Sequence, residues 1–185
     1  KPDFITLYYI LRISFRYFKG DGELLNKILN IFIGKGYKII DSRIYLSDLL
    51  ATKKYNNINK HKHKINLVKI KKYFELAKNE GLKDKGQAII ISDDKIILAE
   101  DNLGTDSLIK RFQKISIYKN AFLVKVSKPN QSLYVDLPTI GPNTIINILN
   151  AGIKGIILEN QKVYISDLKT TLDLINKNNL MYYAV

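Results

Sequence analysis

Residues 88–99 read Ala-Ile-Ile-Ile-Ser-Asp-Asp-Lys-Ile-Ile-Leu-Ala, and residues 100–114 continue Glu-Asp-Asn-Leu-Gly-Thr-Asp-Ser-Leu-Ile-Lys-Arg-Phe-Gln-Lys. Two apolar, β-branched runs separated by Asp93-Asp94 predict a β-hairpin. Leu108, Ile109 and Phe112 then recur at helical spacing, which predicts a helix from Thr105 to about Lys114. Ala121 to Val126 reads as another apolar strand, and Asn143 to Asn150 as a helix closed by Gly152. Gly155–Leu158 and Val163–Ile165 read as a second hairpin around Asn160-Gln161, followed by a helix over Asp167–Lys177 and a strand over Leu180–Ala184. A hairpin-then-helix unit thus occurs twice, at 88–114 and 155–177, as an internal duplication would give. Strands and helices mixed in this way predict an α/β domain with helices packed on a mixed sheet.

Upstream, Asn66 is placed to cap a helix whose Val68, Tyr73, Phe74, Leu76 and Ala77 face inward and which ends at Gly81. Residues 52–65 lose periodicity and gain Lys and Asn, so they read as a linker between residues 1–51 and a domain over 66–185. His61 and His63 lie in that linker among lysines, which repel a cation, so a solvated basic loop outweighs a metal site. Residues 1–18 are apolar and aromatic and predict a helix that packs on protein or lies on a membrane surface. A second helix follows Gly22 and ends at Gly34 and Gly36, with a short strand over Tyr37–Ile40. These first 51 residues read as the truncated closing portion of another α/β domain.

The 185 residues carry 30 Lys+Arg against 17 Asp+Glu, a formal charge of +13. Only 4 of the basic residues are Arg, while Lys (26), Ile (29) and Asn (17) dominate the chain. Arginine supplies most bidentate recognition of phosphates and bases, so this lysine excess points to compositional drift ahead of a nucleic-acid partner. Without Cys there is no disulfide framework and no thiolate chemistry. No apolar run approaches the roughly 20 residues that span a bilayer, and residues 1–18 lack the form of a secretory signal. The chain starts at Lys1, and its only Met is Met181, so it reads as a piece of a longer protein.

Three of the four prolines fall in residues 127–142, which the ring constraints hold in few conformations. Pro142 suits the first turn of the helix that follows, whose free amides are available to a phosphate. Lys125 and Lys128 can supply countercharge, and Asp136 can hold a divalent cation or take a proton from water. A rigid turn with solvated lysines fits the same residues equally well. Thr105 or Asp106 reads as an N-cap. Glu100, Asp101 and Asp106 can also meet Asp136 around a magnesium ion if the two hairpin units pack side by side.

Several segments occur together and in order: Gly86-Gln-Ala88, Glu100 with Gly104-Thr-Asp106, Lys125-Val-Ser-Lys-Pro-Asn-Gln131, Val135-Asp-Leu-Pro-Thr-Ile-Gly-Pro142 and Ala151-Gly-Ile-Lys-Gly-Ile-Ile157. With them the chain, from about Gly20 onward, resembles the magnesium-dependent UDP-2,3-diacylglucosamine pyrophosphatases of lipid A biosynthesis that lack a metallophosphoesterase fold. The resemblance implies hydrolysis of UDP-2,3-diacylglucosamine to UMP and 2,3-diacylglucosamine 1-phosphate (lipid X). It also implies a cytoplasmic enzyme, peripheral to the inner membrane through its acyl substrate, forming a homodimer and needing no nucleic acid. Asp136 and Asp106 become the expected catalytic acids, with Asp136, Asp106 and Glu100 as the magnesium ligands. Gly104, Thr105, Lys125, Lys128, Gln131, Thr139, Gly141, Asn143 and Thr144 become the expected substrate contacts. The glycine-rich opening of the family's N-terminal domain has no counterpart here. A basic module binding RNA or anionic lipid through Lys53–Lys72, or a truncated remnant without activity, stand as the alternatives.

Overall fold

A computed structural model describes residues 3–14, 21–60, 65–83, 86–115, 117–128, 134 and 136–185. The hairpin forms from β1 (Ala88–Ser92) and β2 (Lys95–Ala99), antiparallel, with Ser92 opposite Lys95. Asp93 and Asp94 turn it with φ of 49° and 64°, a left-handed pair that aspartate tolerates better than most residues. On its other edge β1 pairs antiparallel with β3 (Ala121–Lys125). Beyond it β5 (Gly155–Leu158) and β7 (Met181–Ala184) continue the sheet in parallel, giving the order β2-β1-β3-β5-β7. The mixed α/β fold expected from the sequence is present.

The inner strands are apolar throughout because both faces of the sheet are covered. Ile90, Leu123, Ile156 and Tyr182 point toward α4 (Gly104–Lys114), α5 (Pro142–Asn150) and α6 (Leu168–Lys177). Ile89, Ile91, Phe122, Val124 and Met181 point to the other side, where α3 (Leu67–Gly81) supplies Ile70, Tyr73 and Ala77. Asn66 caps α3 as expected, its side chain accepting from Lys69 N at 2.9 Å. Val68 is 76% exposed, and Ile70 takes the inward position expected of it.

The second hairpin does not form. β6 (Tyr164–Ile165) pairs in parallel with β4 (Thr139–Ile140) in a separate two-stranded sheet. Both edges of β5 are already hydrogen-bonded to β3 and β7, so no edge remains for β6. The repeated hairpin–helix unit, and the duplication it suggested, are therefore absent. Tyr37–Ile40 forms no strand either, and Tyr37 and Ile40 are exposed.

In the N-terminal part, α1 (Phe4–Ser14) and α2 (Asp21–Gly34) are helical as expected, and Gly36 at φ 85° ends the second. Short 3-10 turns follow, and Leu50 and Ala51 are buried. Within the stretch read as a linker, Asn56 and Asn57 lie along the free edge of β7. Asn56 exchanges side-chain hydrogen bonds with Ala184 N (2.7 Å) and Ala184 O (3.1 Å). Asn57 does so with Tyr182 N (2.8 Å) and Leu180 O (3.0 Å). Two side-chain amides thus stand where a sixth strand would bond, covering an edge that would otherwise be open to pairing.

Candidate functional site

In an open sheet of parallel strands, ligands collect beyond the carboxyl ends of the strands. Here that end carries the last residue of β3, Lys125, with the start of β1 and the end of β2 beside it through the antiparallel pairings. Lys125 is only 5% exposed. Its Nζ donates to Thr105 Oγ1 at 2.5 Å, and that hydroxyl donates to Glu100 Oε1 at 2.6 Å. Glu100 Oε2 accepts from Gln87 N at 2.6 Å. Gly86 has no Cβ because one would lie 2.5 Å from Glu100 Cβ and O, which explains the glycine before Gln87. Burial holds the Lys125 ammonium below the ordinary lysine range, against the opposing pull of Glu100, Asp106 and Asp136. Three acids, one of them about 30 residues from the other two, therefore all act on one buried ammonium.

Thr105 reaches this position because α4 begins at Gly104, whose φ of 81° suits only glycine. The N-cap of α4 is Leu103, without a side-chain cap, so neither Thr105 nor Asp106 caps the helix. Thr105 turns inward to Lys125, and Asp106 Oδ1 accepts from Asn147 Nδ2 at 3.1 Å, linking α4 to α5. Gly141 is extended, and a Cβ there would strike Ser166 Oγ, so the missing side chain makes room for Ser166. Pro142 does occupy the first turn. Asn143 and Thr139 are exposed, Thr144 and Lys128 half-buried, and Thr139 Oγ1 donates to Leu137 O at 3.3 Å. Asp136 is half-buried. Gln131, His61 and His63 lie outside the described residues.

Both carboxylate oxygens of Glu100 are engaged by Thr105 and Gln87, and among the described residues no three acidic or histidine side chains group as metal ligands. Glu100 instead orients the Thr105–Lys125 pair. Sequence reasoning also missed a second buried polar cluster at the same end of the sheet. Glu159, just past β5, accepts from Ser127 N (2.8 Å) and Ser127 Oγ (2.7 Å), from Lys162 Nζ (2.9 Å) and from Lys78 Nζ (3.2 Å). Its only sequence signal is an acid directly after an apolar strand.

The fold and site define an α/β domain with a lysine–carboxylate centre at the carboxyl edge of its parallel strands. Residues 55–183 match the model of the LpxI C-terminal domain, and the chain belongs to the LpxI family. It is 26% identical over 165 residues to the UDP-2,3-diacylglucosamine pyrophosphatase LpxI of Caulobacter vibrioides. That match takes in 83% of this chain and 57% of the relative's length. No helix among the described residues is long and apolar enough to cross a membrane.

Proposed function

We propose that this chain carries the phosphate-handling part of a hydrolase that cleaves the pyrophosphate of UDP-2,3-diacylglucosamine, releasing UMP and 2,3-diacylglucosamine 1-phosphate. The observation that supports it most is the buried Lys125 ammonium, held by Thr105 and acted on by Glu100, Asp106 and Asp136. Phosphoryl transfer asks little covalent chemistry of a protein, so positioning and charge neutralisation carry most of the rate. Lys125 and Lys128 offset the charge of the two phosphates. Glu100 fixes Thr105, which in turn aims Lys125. Asp136 accepts the proton of the water that forms the new bond to the α-phosphorus, while the bond from that phosphorus to the bridging oxygen breaks and leaves the sugar 1-phosphate. Asp106, steadied by Asn147, and Asp136 are the two carboxylates suited to magnesium, which commonly takes one or two carboxylates together with substrate phosphates. When bound, magnesium supplies charge neutralisation at the phosphoryl oxygens.

On this reading the protein works in the cytoplasm as a homodimer, touching the inner membrane through the acyl chains of its substrate. The test is release of UMP from UDP-2,3-diacylglucosamine with magnesium present, compared between the parent chain and Asp136→Ala. We expect release by the parent and a loss of at least about 100-fold in the variant, at unchanged circular dichroism. Full activity in Asp136→Ala would remove the assignment. Salt-sensitive binding of RNA or anionic vesicles, indifferent to Asp136, would favour a basic binding module instead.

A further inference from the structure

Every polar main-chain and side-chain group of Ser127 is taken. Its N–H and Oγ–H both donate to Glu159 Oε2, and its carbonyl accepts from Lys78 Nζ at 3.1 Å. Ser127 is 2% exposed and Glu159 is buried with it. The Glu159 main chain adds a further tie, its N–H donating to Lys125 O at 3.1 Å. One residue therefore grips the chain on both sides of Val126, at Lys125 and at Ser127, directly before Lys128. The same connection also holds the far end of the Asp136 segment. Tyr164 N donates to Pro138 O at 2.8 Å, Ser166 N donates to Ile140 O at 2.8 Å, and Thr139 and Ile140 lie in register with Tyr164 and Ile165.

A buried carboxylate with two lysines is an expensive way to join a strand end to a turn, since apolar residues of similar volume often hold as well or better. What charged groups give at such a place is fixed direction, because each hydrogen bond constrains angle as well as distance. What is held here is the main chain at Lys125 and Ser127, directly before Lys128, at the carboxyl edge of the sheet.

We propose that Glu159 is a positioning residue. With Lys78 it clamps Ser127 and sets the separation of Lys125 and Lys128 to suit two neighbouring phosphoryl groups of a diphosphate ester. The inference rests on the pyrophosphatase reading for its substrate, and on the Ser127 clamp alone for its geometry.

The test compares Glu159→Gln and Lys78→Met with Lys162→Met, which removes a partner of Glu159 but none of Ser127. Two measurements are made on the full chain: amide hydrogen exchange at Ser127, whose N–H donates to Glu159, and kcat and KM for UMP release. In Glu159→Gln and Lys78→Met, exchange at Ser127 is expected to rise at least tenfold, while the core amides of Ile90, Leu123 and Ile156 keep parental protection. Their kcat/KM falls at least tenfold, and Lys162→Met stays within about threefold of the parent on both measures. If Glu159→Gln does not fold, Lys78→Met decides the matter alone. Unchanged exchange at Ser127, a rise spread evenly over the sheet, or local loosening with parental kcat/KM would each overturn the proposal. A parent chain that hydrolyses nothing would refute the pyrophosphatase reading, and exchange at Ser127 would still decide whether Glu159 holds it.

Discussion

Lys125 holds an ammonium where water hardly reaches, and such a group is tolerated only with good partners. Thr105 bridges it to Glu100, and Glu100 keeps a second donor in Gln87 N. Lys125→Met would therefore leave no orphaned carboxylate, because Glu100 still accepts from Thr105 and Gln87. We expect its melting temperature to move by only a few degrees while UMP release falls at least about 100-fold, a split that marks a lysine kept for chemistry. Thermal unfolding and a UMP assay on one preparation check it. Glu159 makes its contribution as a charged carboxylate. Burial pushes its carboxyl up, but the hydrogen bonds from Lys162 and Ser127 and the charge of Lys78 win and hold it below the ordinary range. A carboxylate with a lowered folded pKa stabilises the native state above its unfolded value, near 4.5, and loses that contribution as the pH falls through the folded value. The stability gap between the parent and Glu159→Gln should thus be full at pH 7 and shrink as the pH drops below about 4. Urea titrations at the two ends measure it, and a gap independent of pH would contradict the charge's role.

The hairpin, α3, α4, α5 and α6 were all legible in the sequence, because each announces itself within its own length by period, cap and turn residues. What the sequence withheld was partnership. Nothing within Tyr164–Ile165 says that β5 has no edge to spare, so β6 had to be seen beside β4. Asn56 and Asn57 were equally opaque, since a side chain doing the work of a backbone leaves no apolar period. The site shows the same division. Its residue types and order were readable, but the turn of Thr105 toward Lys125 and the use of both Glu100 oxygens depend on contacts between separate elements. Edge strand β7 carries the test at this scale. Asn57→Ala strips partners from Tyr182 N and Leu180 O, both in buried residues, and should cost about 1–3 kcal/mol. Gly155→Ala probes the neighbouring seam, where a Cβ would lie 2.7 Å from Met181 Cβ and 2.9 Å from Met181 O. Backbone must move to admit it, so we expect a loss of about 1–3 kcal/mol by urea unfolding.

At the scale of the molecule, stability and apolar surface are distributed very unequally. Among the described residues, both core clusters draw only on positions from Ala51 onward. Large apolar side chains in the first 46 residues stand in solvent instead, among them Phe4 at 92%, Ile5, Tyr8, Ile33, Tyr37, Ile44 and Tyr45. A surface so apolar is characteristic of one that meets another surface, and it adds little to the fold that carries the site. The ties that bind this part to the sheet begin at Ser42, whose Oγ lies 2.9 Å from Tyr164 OH, and continue with Ala51 N to Val163 O at 2.8 Å. Asp41 caps the turn that carries Ser42 and pairs with Arg43, its Oδ2 2.6 Å from Arg43 Nη2. A chain beginning at Asp41 would keep every one of these bonds and both cores. In a domain of this size about 1 kcal/mol corresponds to roughly 2–4 °C. Deleting residues 1–40 should therefore shift the midpoint of thermal unfolding by no more than about 5 °C, with a single cooperative transition retained. A loss of 10 °C or more, or a transition that splits in two, would mean that α1 and α2 support the sheet through contacts beyond those of Ser42 and Ala51.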